Sequence, residues 1–138
     1  RMTVRDVGSR NENYNLMAKA GIHPADAPLF IPPYEWYNEE IAGWAQGMGL
    51  KIVNFTPGTG SNADYTTPDM KNYRSSKDIF NQIIKVEEAD GLNGHLLLVH
   101  LGTHPDRTDK FYNRLDKLIK TLKKRGYTFV PLRDATGY

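Results

Sequence analysis

The run His95-Leu96-Leu97-Leu98-Val99-His100 is the stretch that decides the fold prediction for this chain of 138 residues. Four consecutive aliphatic residues between two histidines are typical of a β-strand that is buried on both faces. Such strands occur mainly in parallel sheets that are covered by helices. The run therefore predicts a parallel strand that ends at His100.

Helical patterns lie on both sides of this predicted strand. Residues 75–86 begin with Ser75, and Asp78 three positions later gives a pattern close to a capping box. Residues 109–125 place apolar side chains on one face, end at Gly126, and precede a short strand predicted at residues 127–130.

The same alternation extends toward the N-terminus. The pattern predicts a helix over residues 11–20, a strand at 29–31, a helix capped by Asn38 and a strand at 50–55. In the first of these helices the expected buried positions are Tyr14, Leu16, Met17 and Ala20. Alternating helices and strands predict an α/β fold with a parallel sheet, and a loop as long as residues 56–74 is usually functional or mobile.

The composition favours one globular domain or fragment over residues 1–138, since 39% of the residues are hydrophobic and 25% are charged. A net charge of +2 is too small to indicate nucleic acid as a partner. No stretch approaches the roughly 20 apolar residues that a membrane span needs. The absence of cysteine excludes disulfide and thiolate chemistry, and it leaves the cellular compartment open.

The carboxyl ends of the predicted strands collect the residues that could carry chemistry, because ligands of parallel sheets bind at that edge. Pro32 and Pro33 have no N–H group, so the amide of Tyr34 is the first free donor after a stiff segment. A rigid donor suits an oxyanion hole. The alternative is that the two prolines simply end an edge of the sheet.

His100 is the candidate proton donor, because histidine titrates near neutral pH. The alternative is a hydrogen-bonded structural histidine. His104 lies four residues further on, but Gly102 and Pro105 disfavour a helix across the pair, so we expect no metal there. Asp64, in the long polar loop, could orient an imidazole, although aspartate is also a common turn residue.

Three elements in this order resemble the third, fourth and fifth motifs of the polysaccharide deacetylases, the family 4 carbohydrate esterases. They are Phe30-Ile31-Pro32-Pro33-Tyr34, then Asp64-Tyr65, then Leu96 to His100. The helix and the segment Gly126-Tyr127-Thr128-Phe129-Val130 that follow resemble the end of the same domain. The resemblance extends over about residues 16–132.

The resemblance implies the C-terminal part of a deformed (β/α) barrel that removes acetyl groups from nitrogen or oxygen atoms of an acetylated polysaccharide or oligosaccharide. It also implies a divalent metal, usually zinc, and a secreted, periplasmic or cell-envelope location. By residue, Tyr34 would donate its backbone N–H to the oxyanion and His100 would be the general acid. Asp64 would tune His100, Leu98 would line the acetyl pocket, and Tyr65 would replace the usual tryptophan.

Two departures from the family pattern change what this chain can supply. Ile31 stands where the family usually has an arginine that pairs with the catalytic aspartate. The first motif, Asp-Asp, and the second, His-x-x-x-His, do not occur before residue 30. We therefore expect the base and all metal ligands to lie outside this chain, in a missing N-terminal half. Either that half or a second copy of the chain would cover the open sheet.

Two other functions fit the same residues. In the first, the chain is a carbohydrate-binding or interaction module without chemistry, and Trp36, Tyr37 and Tyr65 stack on sugar faces. In the second, the motifs are a coincidence in an α/β domain of unrelated function.

Overall fold

The computed structural model describes residues 4–137. The chain divides into two compact units, of which the first ends at Asn54 and the second begins at Phe55. The first unit alternates helices with two short strands. The regular elements of the second unit are helical.

The first unit contains helix α1 (Val4–Lys19), strand β1 (Leu29–Phe30), helix α2 (Glu39–Gly47) and strand β2 (Lys51–Ile52). The two strands pair in parallel, with Leu29 opposite Lys51 and Phe30 opposite Ile52, as the alternation predicts. α2 connects them, and Ile41 and Ala45 on one of its faces are buried. Asn38 caps α2 as predicted, because its side chain accepts a hydrogen bond of 3.0 Å from the N–H of Ile41.

α1 begins earlier than predicted and ends as predicted. At Gly21 the backbone has a φ of 76°, and the N–H of Ile22 donates to the carbonyl of Met17, which closes the helix. The expectation that Leu16 and Ala20 are buried is wrong, since Leu16 is 61% exposed and Ala20 is exposed as well. The partly covered face of this end of α1 carries Tyr14 and Met17, three positions apart.

The second unit is built on helices α3 (Ser76–Asp90) and α4 (Leu115–Lys124), followed by the short helix α5 (Leu132–Ala135). Ser75 caps α3 as predicted, and a 3-10 turn, Phe111–Arg114, leads into α4. Side chains at helical spacing in α3 and α4 form much of its core, together with one residue after α3 and one in the 3-10 turn. The buried core residues are Ile79, Ile83, Leu92, Phe111, Leu118 and Leu122.

The predicted strand at residues 95–100 is not formed, and its six residues are half-buried instead of fully buried. One backbone hydrogen bond of 2.9 Å runs from the N–H of Thr56 to the carbonyl of Leu96. The N–H of Leu96 donates to the hydroxyl of Thr56, and that of His100 donates to a carboxylate. Because side-chain oxygens accept from two of the backbone donors, a strand ladder does not develop.

The strand predicted at residues 127–130 is likewise not formed. The N–H of Tyr127 donates to the carbonyl of Leu122 at the end of α4, and Phe129 and Val130 are 50% and 57% exposed. The described residues therefore form a chain of mixed helix and strand with one parallel pair, β1–β2, and they do not show a barrel. Between residues 4 and 137, no helix is both long and apolar enough to cross a bilayer.

Candidate active site

Asp64 and His100, which the sequence analysis singles out, are in direct contact at two points. Nδ1 of the His100 ring lies 2.6 Å from one carboxylate oxygen of Asp64. The backbone N–H of His100 donates to the other oxygen at 2.7 Å. Because an ionised carboxylate only accepts, this contact assigns a proton to Nδ1 and leaves Nε2 as the nitrogen for proton exchange.

The two side chains of this pair differ in exposure. Asp64 is 1% exposed, whereas the His100 side chain is 33% exposed. A buried carboxylate with both oxygens bonded is held in one orientation, and it fixes the imidazole in turn. The pair therefore combines a rigid interior partner with a ring that solvent or a ligand can reach.

A 3-10 turn, Ser61–Tyr65, places Asp64 for this contact. The turn follows Gly60, whose φ of 67° is readily adopted only by glycine and a few polar residues. The N–H and the hydroxyl of Thr66 both donate to the carbonyl of Ala63, at 3.0 and 2.7 Å. In this tight turn Asp64 is buried, while its neighbour Tyr65 remains 46% exposed.

The Tyr65 ring lies beside the imidazole, where the resemblance expects a tryptophan. Its centroid is 5.8 Å from that of His100, and the ring planes meet at 76°, which is an edge-to-face contact. Leu98, the predicted wall of an acetyl pocket, is half-buried in the segment that ends at His100. The structure thus brings His100, Asp64 and Tyr65 together.

Arg107 is a buried residue of this region that the sequence analysis misses. Its side chain is 1% exposed, and its guanidinium donates to the carbonyl of Thr66, to the carbonyl of Arg74 at 3.0 Å and to the hydroxyl of Ser76 at 3.4 Å. The ring of Tyr73 lies 5.5 Å away, and no ion pair of Arg107 is found among the described residues. In the sequence this arginine resembles any surface cation, because its oxygen partners come from a distant loop.

Arg107 and His100 cross-link the same two segments. His100 contacts Asp64, and Arg107 contacts Thr66, so that residues 100–107 are tied to residues 64–66 at both ends. An open cavity of about 350 Å³ lies between residues 65–70 and residues 102–106. It is lined by Tyr65, Thr67, Asp69, Met70, Gly102, Thr103, His104 and Asp106.

Further hydrogen bonds hold residues along the walls of this cavity. The Lys110 ammonium donates to the hydroxyl of Thr103 and to the carbonyl of His104, both at 2.8 Å. On the opposite wall the hydroxyl of Thr67 donates to the carboxylate of Asp69. That hydrogen bond is the main reason that the pKa of Asp69 lies below its ordinary value of 3.8, with smaller effects from its own backbone and from His104.

The loop after β1, in the first unit, carries the other predicted site residues. Tyr34 is 94% exposed, with Trp36 at 49% and Tyr37 at 45%. Tyr34 and Glu35 both have left-handed backbone conformations, with φ values of 57° and 56°. For residues with a side chain this conformation costs roughly 1–2 kcal/mol each.

Hydrogen bonds to the backbone of Glu35 hold this loop. Its N–H donates to the carbonyl of Pro32 at 2.9 Å, and its carbonyl accepts from the side-chain amide of Asn54 at 2.8 Å. The N–H of Trp36 donates to the carbonyl of Pro33. The N–H of Tyr34, the predicted oxyanion donor, takes part in none of these bonds. Ile31, at the position where the resemblance expects an arginine, is 46% exposed.

A zinc ion, which the resemblance implies, is held in proteins by several grouped histidine, aspartate, glutamate or cysteine side chains. Within the part of the chain that the structure describes, no three or more histidine, aspartate or glutamate side chains are grouped so that they could hold a metal ion. Nδ1 of His104 accepts from the N–H of Asp106 at 3.3 Å.

Comparison of the chain with models of known protein families, with curated proteins and with solved structures finds no match.

Proposed function

We propose that this chain supplies the general acid and the oxyanion donor of a polysaccharide deacetylase similar to the family 4 carbohydrate esterases. The observation that supports the proposal most directly is the contact of His100 with the buried carboxylate of Asp64 at two points. The resemblance expects these two residues to work together, and they lie 36 positions apart in the sequence.

The reaction is hydrolysis of an acetyl group, with water and the acetylated glycan as reactants. A water oxygen adds to the acetyl carbonyl, and the tetrahedral intermediate then loses the sugar amine or hydroxyl. That leaving group needs a proton, which Nε2 of the doubly protonated His100 ring would donate. Asp64 would stabilise the positive charge of the ring in this state.

The oxyanion of the intermediate would accept a hydrogen bond from the backbone N–H of Tyr34. The left-handed turn at Tyr34 and Glu35 supports this assignment, because strained backbone conformations cluster at functional sites, where the surrounding structure keeps them in place. A fixed N–H dipole stabilises developing negative charge without reorganising during the reaction.

The proposal places the catalytic base and the ligands of the divalent metal outside residues 1–138, because neither of the family motifs that carry them occurs before residue 30. A preceding half-barrel, or a second copy of the chain, would cover the open sheet and complete the site. The substrate would be an acetylated polysaccharide or oligosaccharide, and the protein would be secreted or lie in the periplasm or cell envelope.

A second function is supported by the exposed aromatic side chains of the loop after β1. Tyr34, Trp36 and Tyr37 are all at least 45% exposed, which is a large aromatic surface for four consecutive positions. Such side chains could stack on sugar rings in a binding module without catalysis. Oligosaccharide binding without acetate release would favour this alternative.

The deciding experiment measures acetate release from a chitin oligomer and from acetylxylan. The protein to use is the polypeptide that contains this chain together with its upstream sequence. We expect an Asp-Asp and a His-x-x-x-His motif upstream, and acetate release that a chelator abolishes. An upstream sequence without these motifs, or the absence of acetate release from both substrates, would contradict the proposal.

A further inference from the structure

We infer that Arg107 is a positioning residue for the pair Asp64–His100. Its guanidinium holds the turn that carries Asp64, and the carboxylate then keeps the proton of the neutral His100 ring on Nδ1. This role rests on the proposed function in one respect, which is that the position of the ring proton matters for acetyl hydrolysis. The position of that proton can be measured without the reaction.

Thr66 is the residue through which Arg107 reaches the turn. The guanidinium donates to the carbonyl of Thr66, and it also lies 3.4 Å from the hydroxyl oxygen of that residue. The Thr66 hydroxyl donates to the carbonyl of Ala63 at 2.7 Å, and Thr66 is fully buried. Because Ala63 and Thr66 enclose Asp64 in one tight turn, a shift of Thr66 would move the carboxylate.

The contact between Asp64 and His100 tolerates little movement. Its two hydrogen bonds are 2.6 and 2.7 Å long and use different carboxylate oxygens. Hydrogen bonds weaken steeply when their geometry is distorted, so a rotation of the carboxylate would weaken at least one of them. The hydrogen bond made by one ring nitrogen decides where a neutral imidazole carries its proton. Displacement of the turn would therefore leave the proton free to occupy either nitrogen.

The guanidinium also anchors the segment that follows the histidine of the pair. It donates to the carbonyl of Arg74 at 3.0 Å and to the hydroxyl of Ser76 at 3.4 Å. The Ser76 hydroxyl donates to the carbonyl of Asp109 at 2.9 Å, and the N–H of Ser76 donates to the Asp109 carboxylate at 2.6 Å. Residues 107–109 are therefore fixed to the loop before α3 and to the first residue of that helix.

The arrangement of these acceptors suits a guanidinium. Nη1 of Arg107 donates to Thr66, and Nη2 donates to the acceptors at residues 74 and 76. An arginine presents such donors in a rigid, planar fork, whereas a lysine presents one compact ammonium group. The fork fixes direction as well as distance, which is what a positioning residue has to supply.

The burial of Arg107 is costly, and this also favours a functional role. The side chain is 1% exposed, and within the described part of the chain its Nε has no hydrogen-bond partner and no carboxylate pairs with it. The ring of Tyr73, 5.5 Å away, offsets part of the desolvation penalty of the charge. Buried polar groups with unmet hydrogen bonds are uncommon, and one explanation for them is a functional geometry.

The test is nitrogen NMR of the His100 ring in Arg107→Met, in the polypeptide that contains this chain. We expect the neutral ring to carry its proton on Nδ1 in the unmodified protein and to lose this preference in the variant. Leu122→Ala is the control, because Leu122 is a core residue of α4 whose truncation destabilises the fold without removing any of these hydrogen bonds. The control should keep the proton on Nδ1.

Arg107→Lys provides a second variant, which keeps the test valid if Arg107→Met does not fold. Lysine retains the charge and much of the apolar stem but lacks the fork, so we expect the same loss of the Nδ1 preference. A proton that stays on Nδ1 in Arg107→Lys would overturn the inference. The same loss in Leu122→Ala would also overturn it, because the tautomer would then follow stability alone.

The kinetics of acetate release give a further readout. A positioning residue acts on the chemical step, so kcat should fall roughly tenfold in the Arg107 variants while KM stays within about twofold. Leu122→Ala should keep both constants at a temperature where all the variants are folded. A change confined to KM would contradict the positioning role.

The two measurements separate this inference from the proposed function. Loss of the Nδ1 preference in the Arg107 variants of a protein that releases no acetate would retain the control of the ring proton and reject the deacetylase. Acetate release with an unchanged tautomer and an unchanged kcat in these variants would retain the deacetylase and reject the positioning role.

Discussion

The pair Asp64–His100 and the loop at residues 32–37 are both predicted site elements, and the chain builds them in opposite ways. Asp64 is buried and accepts two hydrogen bonds from one histidine. Tyr34 is 94% exposed, and the turn around it is held through backbone groups of its neighbours. One element therefore fixes a side chain from the interior, whereas the other fixes a backbone segment and leaves its side chains in solvent.

This difference corresponds to the two roles proposed for these elements. A proton donor must present one nitrogen in one orientation, which buried polar contacts provide. An oxyanion donor needs only a fixed N–H group, and a surface for sugars needs exposed rings. We therefore expect substitutions at the pair to affect chemistry, and substitutions in the loop to affect mainly ligand contacts.

The largest effect should come from Asp64→Asn in the polypeptide that contains this chain. Asp64 accepts from both the backbone N–H and Nδ1 of His100, and an amide has one oxygen where the carboxylate has two. The amide nitrogen of the new side chain would then face Nδ1 of His100. Because that nitrogen is itself a donor, the ring proton would move from Nδ1 to Nε2. We expect acetate release to fall by at least about a hundredfold.

Nitrogen NMR of the His100 ring checks the cause of that loss, because it identifies which nitrogen carries the proton in the neutral form. Asp116→Asn, at an exposed position of α4, serves as control, with unchanged rate and tautomer. A full rate with Asp64→Asn would show that the contact has no catalytic role.

The next largest effect should be that of Arg107→Met on stability. The substitution keeps much of the apolar stem but leaves the carbonyl of the buried residue Thr66 without its donor, and it removes the hydrogen bond to the carbonyl of Arg74. Urea denaturation should report a loss of about 2–3 kcal/mol in the free energy of unfolding. Arg133→Met, at an exposed position of α5, should change it by less than about 0.5 kcal/mol.

Arg107 also illustrates what the sequence does and does not predict. Helical spacing predicts α3, α4, the Ser75 cap and buried residues such as Ile79, Ile83, Leu118 and Leu122, because these depend on neighbours within a few positions. Ile119, expected on the same face of α4, is exposed, and α4 begins at Leu115 instead of residue 109. The oxygens that surround Arg107 come from residues 66–76, which lie more than 30 positions earlier in the sequence. Local sequence patterns do not predict contacts between residues so far apart.

The strand predicted at residues 95–100 is the clearest wrong prediction from the sequence. Its composition is that of a buried strand, yet hydrogen bonds from Leu96 to the Thr56 hydroxyl and from His100 to Asp64 replace ladder bonds. Competition from side-chain oxygens depends on tertiary contacts, so composition alone does not predict it. The sequence offers Asp64 as a carboxylate that could orient an imidazole, and the family resemblance pairs it with His100.

Intermediate effects should come from the two helix caps, one in each unit. Ser75→Ala removes the cap of α3 and Asn38→Ala that of α2, and each should cost about 1 kcal/mol. Thermal unfolding would measure both. If the two variants unfold as the unmodified chain does, these hydrogen bonds do not stabilise the helices.

The Ser75 cap also has a pH dependence that the Asn38 cap lacks. The Ser75 hydroxyl donates to Asp78 and is the main cause of the lowered pKa of that carboxyl, whose ordinary value is 3.8. A lowered pKa stabilises the fold above pH 3.8, and this contribution is lost as the pH falls toward the folded-state value. Stability between pH 5 and pH 3 should therefore fall less steeply in Ser75→Ala than in Asn38→Ala.

The smallest effect should be that of Tyr34→Gly. Glycine adopts a φ of 57° without strain, and the Tyr34 side chain is 94% exposed, so little packing is lost. We expect the free energy of unfolding to rise by up to about 1 kcal/mol, offset in part by the flexibility of glycine in the unfolded chain. If urea denaturation instead shows the free energy of unfolding to fall by more than 1 kcal/mol, packing of the Tyr34 ring stabilises the fold.

The rate of acetate release by His100→Ala, compared with His95→Ala, tests the central claim most directly. Both histidines are half-buried in the same segment, residues 95–100, but the contact with Asp64 is made by His100. In the polypeptide that contains this chain, we predict a loss of at least about a hundredfold for His100→Ala and a rate within about twofold of normal for His95→Ala. Normal turnover by His100→Ala would contradict the account.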